Sequence, residues 1–234
     1  LEAAFMTAGA ADHIKADALQ ELSALSKRIG DVTAYFNSLD QITRLSKAKP
    51  AQLIDAYDAI TLLFLENGKL AEARKAATEG LAVPKAGADD LAKLYRNLAS
   101  AHLLDPANKV PSGVSPQALK LANAELDNAV SKRELKSTDR AKILLKFGEY
   151  FQQIKVVGAT ETSIAQCQKV LALKGLSVRE LAEAQYGIGE AYRNAGKTAE
   201  AIAAYEKVSS ESGQFHGYAQ QRIKGLSPPA APKN

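Results

Sequence analysis

The chain has 234 residues, of which 46% are hydrophobic, 24% are charged and only 6% are aromatic, and it contains no tryptophan. This composition excludes disorder along the whole chain, and the shortage of aromatic residues favours packed helices over a β-sandwich. The net charge of +4 comes from 30 basic and 26 acidic residues. Basic and acidic residues are interspersed along the chain, which argues against a basic domain dedicated to nucleic acid.

A helical hairpin is predicted at the start of the chain, after a flexible lead-in over residues 1–11. Leucine and isoleucine recur at steps of three and four over residues 12–29, which is the period of an amphipathic helix. Gly30 ends this helix, and Asp31 can cap the next one. A second hairpin is predicted between Pro50 and Pro84, since proline is favoured in the first turn of a helix and after its end.

Two further hairpins with longer connections are predicted in the middle of the chain. The first starts at Asp89 or Asp90 and is interrupted by a loop with three prolines, DPANKVPSGVSP, at residues 105–116. The second starts at Ser137 or Thr138, either of which can cap a helix. Because these connections are long, we expect the spacing between hairpins to be irregular here.

The clearest hairpin is the segment AEAQYGIGEAYRNAGKTAEAIAAYEKVS at residues 182–209. It predicts two short helices joined by a tight turn. Gly189 and Ala201 matter because two antiparallel helices approach closely only where no large side chain lies between them. Tyr192 and Tyr205 are then the large groups that fill the space beside these close contacts.

Signals on both sides of this hairpin frame it. Ser177 and Glu180 form the pattern of a capping box, S-x-x-E, at its start. After it, apolar residues over 215–223 predict a last amphipathic helix, which would cover the exposed end of the hairpin. The proline-rich segment at residues 227–234 is predicted to be a disordered tail.

The order of small and large residues in the clearest hairpin resembles the tetratricopeptide repeat, whose pattern runs aromatic, Leu-Gly, Tyr, Gly, Ala, aromatic, Ala. The resemblance implies an all-α fold, a right-handed superhelical stack of antiparallel helix pairs (an α-solenoid) with a concave and a convex face. About five pairs and the capping helix are expected over residues 12–226. A plain helical bundle with different connectivity is the alternative, because the repeats are spaced more widely than the family's unit of ~34 residues.

In proteins with this repeat, the first helix of each pair lines an inner groove. By that resemblance we expect a peptide-binding groove lined by Lys93, Arg96, Asn97, Lys142, Lys146, Tyr186, Arg193 and Asn194. The resemblance implies a protein or peptide partner, and the basic groups of the groove are compatible with an acidic one. One branch of the family grips a terminal carboxylate; Asn97, Lys142 and Lys146 fall at three positions of that clamp, whereas Asp58 and Leu62 do not match the other two.

No motif for catalysis, a cofactor or a metal ion is apparent. His13, His102 and His216 lie far apart in the sequence, and Cys167 has no C-x-x-C partner. We expect His102 and Cys167 to be packed core residues. No run approaches the ~20 apolar residues of a membrane-spanning helix, and a single cysteine leaves the compartment open between bacterial periplasm and cytoplasm.

The leading hypothesis is therefore a non-catalytic scaffold that binds a partner protein or peptide in its concave groove. A structural or assembly module is the first alternative, one that self-associates, for example as a homodimer, in a bacterial envelope or secretion complex. Helical-repeat RNA binding is the second alternative, and only the basic groove supports it.

Overall fold

The computed structural model describes residues 12–110, 113–132, 135–154 and 157–227, and these residues form eleven α-helices. The chain divides into two compact units between Lys109 and Val110. The first unit contains α1 Asp12–Ile29, α2 Val32–Thr43, α3 Pro50–Glu66, α4 Leu70–Leu81 and α5 Ala88–Leu103. The second contains α6 Pro116–Lys132, α7 Ser137–Gln153, α8 Ala159–Leu171, α9 Val178–Asn194, α10 Thr198–Tyr205 and α11 Gln214–Leu226.

Antiparallel helix pairs build the first unit. Helix α1 packs on α2 and α3 packs on α4, while α5 packs against both helices of the second pair. The interior between the first two pairs consists of small and aliphatic side chains such as Ala16, Leu19, Ile42 and Ala56. Small side chains on facing positions let helices approach closely, so this composition explains why the pairs stack.

Local signals set the turns of the first unit as the sequence predicts. Gly30 has a φ of 78°, in the left-handed region that glycine adopts without strain. The carboxylate of Asp31 accepts a hydrogen bond from the backbone nitrogen of Ala34 at 2.9 Å, which is the expected N-terminal cap of α2. Pro50 is the first residue of α3.

The second unit repeats the same packing. Helices α7 and α8 form one pair, α9 and α10 form the next, and α9 also packs against both helices of the pair before it. Helix α6 packs on α8, where Gln166 Nε2 donates to Asn123 Oδ1 at 2.9 Å. Helix α11 covers α9 and α10, as expected for a capping helix.

Gly189 marks a close approach between α9 and α10 in the second unit. A Cβ atom added at Gly189 would lie 2.4 Å from Cε1 of Tyr205, whose side chain is fully buried. Glycine is therefore required where α9 meets α10, as predicted. Tyr192 differs from the expectation, since its side chain is only partly buried.

The all-α class is confirmed for the described residues, with small corrections at helix starts. Helix α5 starts at Ala88 after Gly87, so Asp89 and Asp90 lie in its first turn, where the helix dipole favours acidic groups. Helix α7 starts at Ser137 after Lys136, so neither Ser137 nor Thr138 precedes it as the cap.

The expected loop between α5 and α6 holds a 3-10 turn at Pro106–Asn108 and two short strands, β1 Lys109–Val110 and β2 Gly113–Val114, which pair with each other. The predicted lead-in at residues 1–11 lies outside the described residues. The same holds for residues 228–234 of the predicted tail.

Candidate functional site

An open cleft of 360 Å³ lies between α7 and α9 in the second unit, and we call it the inner cleft. These are the first helices of two successive pairs, and their side-by-side packing aligns their outward positions. The lining residues are mostly charged: Thr138, Asp139, Ala141, Lys142, Leu145, Lys146, Arg179, Glu180 and Glu183. Two of the predicted groove residues, Lys142 and Lys146, are therefore brought together here.

Two charged side chains of the inner cleft are engaged within their own helices. Lys146 Nζ lies 3.2 Å from Glu149 Oε2, one helical turn away on α7. Both side chains are about half exposed, so this pair contributes at most about 1 kcal/mol to folding. Glu180 accepts a hydrogen bond from the backbone nitrogen of Ser177 at 2.7 Å, which completes the predicted capping box.

Glu183 is a carboxylate of the inner cleft that makes no direct ion pair with the described residues. It is half-buried, and no hydrogen bond or ion pair joins it to any residue that the structure describes. Burial raises the pKa of Glu183, and the nearby charge of Glu149 raises it further, against the opposing charges of Lys146 and Arg179. A cationic group placed beside Glu183 would offset the free-energy cost of ionising this carboxylate.

The predicted groove residues of the first unit form a network between α3 and α5. Asn97 is only 2% exposed and donates a hydrogen bond from Nδ2 to Asp58 Oδ1 at 2.7 Å. Lys93 Nζ lies 3.6 Å from Asp55 Oδ1, and Arg96 is exposed. Burial raises the pKa of Asp58, against the charges of Arg96 and Lys93. Asn97 thus joins two helices and has little surface left for a ligand.

Tyr186 and Arg193 belong to a network around Glu190 on α9. Glu190 accepts hydrogen bonds from Arg193 Nη2 at 2.8 Å, from the hydroxyl of Tyr205 at 2.5 Å and from Arg222 Nε at 2.9 Å. The hydroxyl of Tyr186 also accepts from Arg222, at 3.3 Å. Burial acts to raise the pKa of Glu190, but these hydrogen bonds and charges lower it overall. The network fixes α11 on the last pair.

Asn194 lies apart from the inner cleft. It lines a second cleft of 570 Å³ at the C-terminal ends of α7 and α9, with Gln153 and Thr160 among its neighbours. Sequence reasoning gave neither Glu183 nor Arg222 a role in a functional site. Their roles depend on which helices lie side by side, and the pattern within one repeat carries no signal for that.

The buried cysteine and histidine occupy core positions. Burial raises the pKa of the Cys167 thiol to about 12, so Cys167 is protonated and behaves as a small apolar residue. His102 is also buried. Across the part of the chain that the structure describes, no cluster of three or more His, Cys, Asp or Glu residues is placed to hold a metal ion. Within the same residues, no helix is both long and apolar enough to cross a bilayer.

Comparison with known proteins identifies the hairpin that the sequence singles out. Residues 183–212 match the tetratricopeptide repeat family model. Two crystal structures are similar over most of the chain. That of MamA protein is 16% identical with a TM-score of 0.41 and covers 87% of this chain and 95% of its own. That of BtubC (BKLC) from P. vanneervenii is 17% identical with a TM-score of 0.45 and covers 92% of this chain and 83% of its own.

A search of curated proteins gives no match to the sequence. The family match falls on the hairpin formed by α9 and α10, where the small-residue contact at Gly189 is also found. The resemblance predicted from the sequence is thereby confirmed: the described residues form antiparallel pairs of α-helices, and residues 183–212 match the tetratricopeptide repeat.

Proposed function

We propose that this protein is a non-catalytic scaffold that binds a segment of a partner protein in the inner cleft between α7 and α9. Tetratricopeptide repeats generally support protein interactions rather than catalysis, and the match at residues 183–212 begins at Glu183, on the α9 wall of the cleft. The observation that carries the proposal is the inner cleft itself, which is open, charged and built from the first helices of two pairs.

Rigidity of the walls favours such a role. Both helices are packed on α8 behind the cleft, so its shape exists before a partner arrives. A preformed surface loses little conformational entropy on binding, which leaves more of the contact energy as affinity. The repeated geometry also presents an elongated face that suits an extended or helical segment.

The charges of the cleft favour a partner segment of mixed charge that brings a basic side chain to Glu183. Lys146 already has a carboxylate partner within its own helix, whereas Glu183 has no ion pair among the described residues. A lysine or arginine beside Glu183 would gain a charge-assisted hydrogen bond. A purely acidic partner, which the basic groups of the sequence suggest, is the competing ligand class.

Selection of short random peptides on the intact chain tests the proposal. We expect the selected peptides to share a Lys or Arg, and Glu183→Gln to weaken their binding by about tenfold, the equivalent of one lost charged contact of about 1.4 kcal/mol. Affinity should rise with pH as Glu183 ionises, because a bound cation stabilises the ionised form and lowers its pKa.

Lys75→Ala is the matched control for Lys146→Ala. Lys75 pairs with Glu79 on α4, the second helix of its pair, much as Lys146 pairs with Glu149 on α7. Lys75→Ala should leave peptide affinity unchanged. If the selected peptides are instead rich in Asp and Glu, the partner is acidic and the proposed basic side chain at Glu183 is wrong. Peptides that bind the wild type, Glu183→Gln and Lys146→Ala equally would show that the inner cleft is not the docking face.

A further inference from the structure

Helix α1 exposes several of its large apolar residues. The side chain of Ile14 is 54% exposed, that of Leu25 is 37% exposed and that of Ile29 is 68% exposed. Leu22, between them, is partly buried. Exposure of a single apolar residue is ordinary, but a continuous row of them marks an interaction surface.

The apolar residues that α1 leaves exposed or partly buried form one stripe, which is distinct from its packed side. The packed side is made of Ala16, Leu19, Ser23 and Ser26. At about 100° per residue, the apolar stripe spans about 80° of the helix and is centred about 120° from the packed side. We call this set the outer stripe, and its members are Ile14, Ala18, Leu22, Leu25 and Ile29.

We propose that the outer stripe binds the outer stripe of a second copy of this chain, with the two α1 helices antiparallel. The spacing of the stripe is nearly symmetric about Leu22. In the antiparallel arrangement Ile14 of each copy lies opposite Ile29 of the other, Ala18 lies opposite Leu25, and Leu22 meets its own copy. A two-fold interface requires such self-complementarity, and the small Ala18 leaves room for the larger Leu25.

Two of the charged residues at one edge of the outer stripe fit the same arrangement. Arg28 and Asp17 lie on the same edge, and both side chains are exposed. Arg28 makes no hydrogen bond or ion pair with any residue that the structure describes. Asp17 uses Oδ1 to accept a hydrogen bond from Gln52 at 2.6 Å, which leaves Oδ2 for another donor.

The two-fold axis of an antiparallel pair places like edges together, so Arg28 of one copy reaches Asp17 of the other. Their axial offset is about 3 Å, two residues at about 1.5 Å per residue. In a parallel pair unlike edges face each other, so Arg28 of one copy and Asp17 of the other would lie on opposite sides of the stripe and could not pair. Charge complementarity therefore selects the antiparallel register.

The size of the surface sets the expected strength. Helix α1 has 18 residues and is about 27 Å long, so a pair of such helices buries less than the roughly 1,200 Å² of a typical stable interface. We therefore expect a weak dimer that dissociates on dilution, with a dissociation constant of roughly 10 to 100 μM. Residues 1–11, which precede α1, are the competing occupant of the stripe.

Sedimentation of the intact chain over a range of concentrations tests the dimer. Leu25→Glu should abolish concentration-dependent dimerisation. Leu62→Glu is the control, since Leu62 on α3 is 38% exposed and lies outside the stripe, and it should leave the dimer intact. Arg28→Glu should weaken the dimer, and Arg28→Glu combined with Asp17→Arg should restore it, because the charges are exchanged.

Disulfide formation tests the register directly, since Cys167 is buried and does not compete. Leu22→Cys should give a covalent dimer under mild oxidation, because the two Leu22 positions meet. Ile14→Cys should not, since the two Ile14 residues would be about 22 Å apart along the axis, beyond the ~7 Å limit between Cα atoms. Cross-linking at Ile14 but not at Leu22 would overturn the antiparallel pairing.

A chain that stays monomeric at every concentration would overturn the dimer. The competing occupant has its own signature. If residues 1–11 cover the outer stripe, Leu25→Glu should lower the melting temperature by the same amount at every protein concentration. In the proposed dimer, the loss should shrink on dilution, because the dissociated wild type has no contact left to lose.

Discussion

Replacement of Gly189 by alanine is the most direct test of how the last helix pair packs. The new Cβ would lie 2.4 Å from Cε1 and 2.5 Å from Cδ1 of Tyr205, whereas ordinary carbon contacts are about 3.5–4.0 Å. The ring must move by about 1 Å, and it is poorly placed to do so. It is fully buried, packs against Tyr186 with 5.5 Å between ring centroids, and donates its hydroxyl proton to Glu190.

Two opposing effects set the size of the change. Alanine favours a helix over glycine by about 1 kcal/mol, while forcing an extra carbon into a packed core costs about 1–3 kcal/mol. A displaced Tyr205 also weakens its hydrogen bond to Glu190, so we place the cost near the upper end. Gly189→Ala should thus lower the free energy of unfolding by about 1–2 kcal/mol.

Gly148→Ala is the matched control, because Gly148 lies at the equivalent position of α7. Its added Cβ would meet Ser163 and Cys167 at 3.5–3.6 Å, which is ordinary contact. Gly148→Ala should therefore be neutral or stabilising by up to about 1 kcal/mol. Urea unfolding followed by circular dichroism measures both variants. Equal stability of the two would refute the close approach of α9 to Tyr205.

Four further predictions concern other parts of the chain. Gly80→Ala should destabilise the first unit in urea unfolding by about 1–2 kcal/mol, since its Cβ would lie 2.7 Å from Tyr57 Cβ; an unchanged midpoint would contradict that contact. Glu183→Gln should raise the melting temperature at neutral pH, and the gain should vanish at acid pH, because the raised pKa means that the ionised form is the less stable one in the folded chain. Arg222→Ala should speed hydrogen exchange in α11 while costing under about 1 kcal/mol of global stability; unchanged exchange would show that the contact to Glu190 does not hold the helix. Lys146→Ala should leave the melting temperature nearly unchanged, since its ion pair is exposed.

Local features of the fold could be predicted from the sequence because they depend on neighbouring residues. Helix α1 has the predicted bounds, since the apolar period and Gly30 both act within a few residues. The capping box at Ser177 and Glu180 is confirmed for the same reason. The need for a small residue at Gly189 is also confirmed. It could be predicted because the resemblance to a known repeat indicates which helix packs against this position.

The candidate site could be predicted only in part, because its chemistry joins residues far apart in the chain. Asn97 has the residue type of a groove position, but Asp58, 39 residues earlier, takes its amide as a hydrogen-bond partner. Arg222 reaches Tyr186 across 36 residues. Periodicity within one helix gives no information on such pairs, since they depend on how successive pairs stack.

The hydrogen bonds around Glu190 limit how this repeat can be transplanted. The family match ends at residue 212, yet one of the three donors to Glu190 is Arg222, and Tyr186 also packs against the ring of Phe215 with 5.9 Å between centroids. A graft cut at the formal repeat boundary would leave an acidic side chain short of a donor and an aromatic face uncovered. A module taken from this chain for use in another scaffold should therefore continue through Leu226.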